Sequence, residues 1–174
     1  VFLLKSKSYQ GAIDALRTGK CYVVTKAKTA LALTLSDFWM MAGGSVAYSG
    51  EIINIPATVV NAKQDQPVLY IKVAHRSAQD INEPKPAQNN KKAKDSVPKS
   101  SGFHSRSTIK TMATVKIISN GRLVQEYNQP LPLEVRFTPD ISGLKPGQTA
   151  YYRLDIIDSN QGHLISNPIF VKAE

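Results

Sequence analysis

The feature that most constrains this chain is a switch in hydrophobic period at Gly19. Before it, apolar residues recur at helical spacing: Tyr9, Ala12, Ile13 and Leu16 fall at i, i+3, i+4 and i+7, on one face. Ser8 offers a side-chain oxygen to the first free N–H groups. Arg17 and Lys20 stand where the helix dipole favours cations, and Gly19 suits a left-handed stop. The spacing predicts one short amphipathic helix over Tyr9 to Thr18. Beyond Gly19 the apolar residues recur every second position instead, so the remainder must bury them as strands.

Those strands are punctuated by turn residues. Cys21 to Thr25 is β-branched and aromatic. Leu31, Leu33 and Leu35 alternate with Ala32, Thr34 and Ser36, as in a half-buried strand. Phe38 to Ala42 is a dense apolar patch closed by Gly43-Gly44. Val46 to Tyr48 and Ile52 to Val60 flank a Ser49-Gly50 turn, and Pro56 inside the second run argues for an edge position or a bulge. Val68 to Ala74 carries Leu69, Ile71 and Val73 on one face. Asn120-Gly121 joins Ile109–Ser119 to Arg122–Tyr127, and both turn residues tolerate the positive φ of a two-residue hairpin. Leu131 to Phe137 alternates, Pro146-Gly147 turns, and Thr149 to Ile157 runs into a turn at Ser159 to Gly162 before Leu164 to Val171 returns. About eight or nine closely spaced strands predict an all-β, antiparallel two-sheet sandwich of immunoglobulin-like kind.

Residues 77–108 differ in kind. They hold Pro84, Pro86 and Pro98, few apolar residues and neither period, which predicts a long disordered insertion between two strands. Between Pro84 and Lys110 there are seven basic residues and one acid, so +6 of the chain's +9 sits there. Lys85, Lys91, Lys92, Lys94, Lys99 and Arg106 are candidate contacts for a polyanion, weak and non-specific because a flexible segment cannot shape a pocket. Phe103 is its one aromatic, which argues against a base-stacking platform. A plain solvated loop explains the same composition.

Hydrophobic residues make up 42% of the chain, enough for a sizeable core. The apolar runs Tyr22–Val24 and Phe38–Ala42 are far shorter than the roughly 18 residues of a membrane helix, so no membrane insertion is expected. Cys21 stands alone, which excludes an internal disulfide and a thiolate zinc site. Secreted, periplasmic and cytoplasmic locations all fit. The first residue is not Met, and the expected reading is a piece cut from the C-terminal end of a longer protein.

Catalytic signatures are missing. His75, His104 and His163 form no HxH, HxxxH or HExxH spacing and are expected at the surface. Asp155 and Asp158, at the end of a strand, suit backbone hydrogen bonding better than a catalytic carboxylate pair. No GxSxG elbow and no phosphate-cradling glycine motif occurs. Tyr151 and Tyr152 should face opposite sides of their strand. Trp39 could stack on a sugar, but beside Phe38, Met40 and Met41 it is expected in the core. No catalytic, cofactor-binding or metal residue is therefore assigned.

Three stretches resemble a known family. "GAIDALRTGKCYVV", Gly11 to Val24, is similar to the "ALxxGRxYV" segment that closes the catalytic region in metallohydrolases of the PHP (polymerase and histidinol phosphatase) superfamily. "ISNGRLVQ", Ile118 to Gln125, resembles the "IxNGxxV" hairpin of the C-terminal β-sandwich in those proteins. "YYRLDI" with "LISNPIFV", Leu164 to Val171, resembles its closing strands. Lys20 stands where the family usually has Arg, and the long insertion is not a family feature. The resemblance implies a parent whose barrel holds divalent metals and hydrolyses phosphoesters, with its ligands upstream of Val1.

The organisation expected is thus a helical segment, 1–20, joined to a missing upstream catalytic barrel, followed by a β-sandwich domain, 21–174, with the insertion at 77–108. Its expected role is that of a non-catalytic accessory domain supporting assembly or substrate access. It needs no cofactor of its own, and its partner is the upstream barrel of the same chain. The alternative is a free-standing β-sandwich module that binds a polyanion or a carbohydrate.

Overall fold

The computed structural model describes residues 1, 8–25, 31–56, 66–77 and 110–174. Among these residues one helix, α1 (Tyr9–Arg17), precedes eleven strands: β1 (Tyr22–Thr25), β2 (Leu31–Ala42), β3 (Ser45–Tyr48), β4 (Ile52–Ile55), β5 (Val68–Ser77), β6 (Met112–Ser119), β7 (Arg122–Pro130), β8 (Leu133–Phe137), β9 (Thr149–Asp158), β10 (His163–Ser166) and β11 (Ile169–Ala173). The helix begins and ends as its sequence dictates. Ser8 Oγ accepts from Gly11 N at 3.0 Å, and Gly19 takes a φ of +68° just past the last turn.

The strands form an all-β sandwich of two sheets. One has four strands in the order β3-β2-β5-β8, all antiparallel. The other has seven. β7, β6 and β9 lie side by side, β10 and β11 follow each other along the far edge of β9, β1 pairs with β10, and β4 pairs with β11. The β4–β11 pair is parallel, a departure from the purely antiparallel expectation. Its cause is local. The chain leaves the four-stranded sheet after β3 and crosses to the other sheet at Ser49-Gly50, so β3 and β4 never pair with each other.

The core lies between the sheets and is built from alternate positions. Leu69, Ile71 and Val73 of β5 face Tyr152, Leu154 and Ile156 of β9 within one buried cluster. Removing a side chain of this size from water contributes about 1.5–3 kcal/mol. Asn120 (φ +48°) and Gly121 (φ +77°) form the hairpin turn between β6 and β7.

Several expectations change in detail. Leu31–Ser36 and Phe38–Ala42 belong to one strand, whose register shifts between Leu35 and Asp37. This bulge places Phe38, Met40 and Ala42 inside with Leu33 and Leu35. Trp39 therefore turns outward, and its expected place in the core is corrected. The strand starting at Ile52 stops at Ile55, before Pro56, and lies at the sheet edge; positions 57–60 fall outside the described residues. The expected strand Leu164–Val171 is two strands, because Pro168 cannot continue the ladder. The insertion expected at 77–108 lies outside the described residues except for Ser77, the last residue of β5.

Candidate functional site

The outer face of the four-stranded sheet gathers the most chemistry. The outward alternation gives each of three neighbouring strands two side chains at i and i+2: Asp37 and Trp39 from β2, Tyr70 and Lys72 from β5, Glu134 and Arg136 from β8. Register aligns them into two rows, Trp39–Tyr70–Arg136 and Asp37–Lys72–Glu134. Tyr48 of β3 lies opposite Trp39 and is 52% exposed, so the first row crosses all four strands. Trp39 stacks on Tyr70 with ring centroids 3.9 Å apart and planes 15° from parallel. Arg136 lies 5.0 Å from the Tyr70 ring centroid, within cation–π range. A groove of about 160 Å³ is lined by Asp37, Trp39, Tyr70, Ile71, Lys72 and Glu134. The Ile71 side chain is buried, so this residue offers the groove its main chain.

Two histidines meet carboxylates. His75 continues the inward row of β5, and Asp158 continues the inward row of β9. The two join across the sandwich, Nε2 to Oδ2 at 2.7 Å. Their side chains are 13% and 1% exposed, which corrects the expectation of a surface histidine at 75. Asp158 Oδ1 also accepts from Asn160 N and Gly162 N, both at 2.8 Å, the turn role expected of it. His163 Nε2 lies 2.7 Å from Asp155 Oδ1 on the outer face of the seven-stranded sheet. Asp155 and Asp158 therefore point to opposite faces and form no catalytic pair. His104 lies outside the described residues.

A larger cleft of about 440 Å³ lies near Asn120, Asp140, Leu144, Gln148 and Tyr152. The hydroxyl and backbone N–H of Ser142 both donate to Asp140 Oδ1 and hold its carboxyl below the usual range. Burial pushes the Tyr152 hydroxyl up, consistent with Tyr152 in the core and Tyr151 half-exposed against Phe170.

The third cluster is a junction of backbone. Asn167 Nδ2 donates to Gly19 O at 2.9 Å, Gly50 N donates to Pro168 O at 2.8 Å, and Ser49 Oγ donates to Asn167 O at 3.2 Å. Lys20 pairs with Glu51 at 2.6 Å alongside. Gly50 (φ +85°) lies so close to Thr18 and Gly19 that no Cβ fits. The C-terminal end of α1 is thereby clamped to the sandwich. Its apolar face is covered only in part: Ala12 and Ile13 are half-buried, whereas Tyr9 is 83% exposed and Leu16 56%, and Ala15 is the buried residue of the helix.

Among the described residues no group of three or more His, Cys, Asp or Glu could hold a metal ion, so the divalent metals of the resemblance find no fit in them. Lys85, Lys91, Lys92, Lys94, Lys99 and Arg106, the candidate polyanion contacts, all lie outside the described residues. The two rows on the four-stranded sheet were missed from the sequence apart from Trp39. Alternation marks the pairs of β5 and β8 as outward, the bulge in β2 turns Asp37 and Trp39 outward, and only register makes the pairs neighbours. Protein-family models, curated proteins and solved structures give no match to this chain.

Proposed function

We propose that this chain is a non-catalytic accessory domain that packs, through α1, against the catalytic barrel of a metal-dependent phosphoesterase-like hydrolase. The observation that carries the reading is a helix anchored at one end whose apolar face is half-buried at Ala12 and Ile13 but exposed at Tyr9 and Leu16. A short helix gains most of its stability from packing that face. In α1 the clamp at Gly19, Gly50 and Asn167 fixes the helix direction instead, leaving Tyr9 and Leu16 for a neighbour. The stretches that resemble the PHP proteins, Gly11–Val24 and Leu164–Val171, meet at this clamp through the Asn167–Gly19 bond. In this reading the barrel supplies the metals and the chemistry, and the sandwich supports assembly or substrate access.

The reading frame upstream of Val1 tests the proposal directly. It is expected to encode a barrel with His- and Asp-rich motifs, and a secretion signal joined straight to Val1 overturns the reading. In the longer polypeptide, amide exchange along α1 should be slower than in the 174-residue chain. Leu16→Asp should abolish that difference while changing the stability of the 174-residue chain by no more than about 0.5 kcal/mol, as for other exposed positions. Equal exchange in both polypeptides counts against docking through α1.

A further inference from the structure

We propose that the outer face of the four-stranded sheet binds a neutral polysaccharide, with one sugar ring seated in the groove between the two rows. The groove of about 160 Å³ suits a single ring and is walled by the Trp39 and Tyr70 side chains. Tyr70 has Trp39 on one face and Arg136 on the other, so the groove is met by the apolar edges of the two stacked rings, against which the C–H groups of a sugar lose little when they leave water. The second row supplies what hydroxyl groups need: carboxylate acceptors at Asp37 and Glu134, and an ammonium donor at Lys72 between them. The ion pairs of the described residues are Lys20–Glu51, His75–Asp158 and His163–Asp155, so none of these three groups is engaged in one. Their bonding capacity faces the groove.

Charge selects the class of polymer. Asp37 and Glu134 balance Lys72 and Arg136, so the site as a whole favours neither an anion nor a cation. A neutral, polyhydroxylated ligand is the one that both rows can satisfy together. Arg136 has a second task. Its guanidinium covers the face of Tyr70 turned away from Trp39, completing a stacked column that holds both aromatic walls upright. The row continues through Tyr48 to the edge of the sheet, so the contact surface is longer than one ring and suits an extended chain. This ligand is distinct from any polyanion drawn to the basic segment around Lys91 and Lys92.

The test is native affinity electrophoresis in gels containing soluble starch, xyloglucan, galactomannan or barley β-glucan. The gel is run toward the cathode because the chain carries a formal charge of +9. At least one polymer should retard the protein, and added salt should leave the retardation unchanged, since no counterions are released by a neutral ligand. Trp39→Ala should weaken binding on the order of tenfold or more. Because Trp39 also stabilises the sheet, the exposed and nearly isosteric variants Asp37→Asn and Glu134→Gln provide the second arm, and their combination should weaken binding on the same order. Circular dichroism establishes that each variant is folded. Absence of retardation by all four polymers overturns the proposal. So does retardation that fades with salt, or that the Asp37→Asn/Glu134→Gln protein retains in full.

Discussion

Replacing Gly50 with Ala isolates the energetic role of the junction between helix and sandwich. Gly50 has a φ of +85°, and an added Cβ would collide with the Thr18 carbonyl oxygen and come within 2.8 Å of Gly19 Cα. These are backbone atoms, so no side-chain rotation relieves the contact. Left-handed backbone alone costs an L-residue about 1–2 kcal/mol. Forcing the two segments apart adds about 1–3 kcal/mol, as overpacking does elsewhere. It also stretches the bonds from Gly50 N to Pro168 O and from Asn167 Nδ2 to Gly19 O, each contributing about 0.5–1.5 kcal/mol. The expected loss is about 3–5 kcal/mol. Gly44 provides the control, because its φ is +78° and nothing lies within 4 Å of its added Cβ. Gly44→Ala should therefore lose only the backbone part, about 1–2 kcal/mol. Urea denaturation, with the slope compared between variants, measures both. Equal losses in the two variants, within about 0.5 kcal/mol, would refute the close approach as the reason for glycine at position 50.

His75→Ala should destabilise the fold by about 1–3 kcal/mol, because it strips Asp158 Oδ2 of its partner at 1% side-chain exposure while Oδ1 keeps its two backbone donors. His75→Gln, which returns an N–H donor, should recover much of that loss in the same denaturation assay; no difference between the two variants would show that the bond contributes little. Replacing residues 84–107 with a Gly/Ser linker removes Lys85, Lys91, Lys92, Lys94, Lys99 and Arg106. Retention on heparin at low salt should then largely disappear while thermal stability barely moves, as the basic and apolar-poor composition of the segment leads one to expect. Undiminished retention would place the polyanion-binding charge on the sandwich instead.

Many of the elements, and the buried face of several, are legible in local sequence. Ser8, the 3–4 spacing through Leu16, and Gly19 specify α1 from local chemistry alone. Alternation in β5 and β9 specifies which residues face the core, and Asn120-Gly121 specifies a hairpin, because a side chain's face and a turn's φ depend on near neighbours only. Extending the same alternation by a residue or two would have placed His75 and Asp158 on the inward face. That they meet is decided only when β5 and β9 pack across the sandwich. Tertiary structure also decided which way Trp39 points. A register shift at one residue of β2 reverses every later side chain, and the sequence Leu35-Ser36-Asp37 carries no local signal for it. The same holds for the crossing of β4 to the second sheet, which rests on Gly50 fitting against Gly19 thirty-one positions earlier. The paired rows of aromatic and charged residues follow from strand order and register, and period 2 within a strand is silent about both. Local residues set what each strand can bury; only packing between distant strands sets which outward side chains become neighbours.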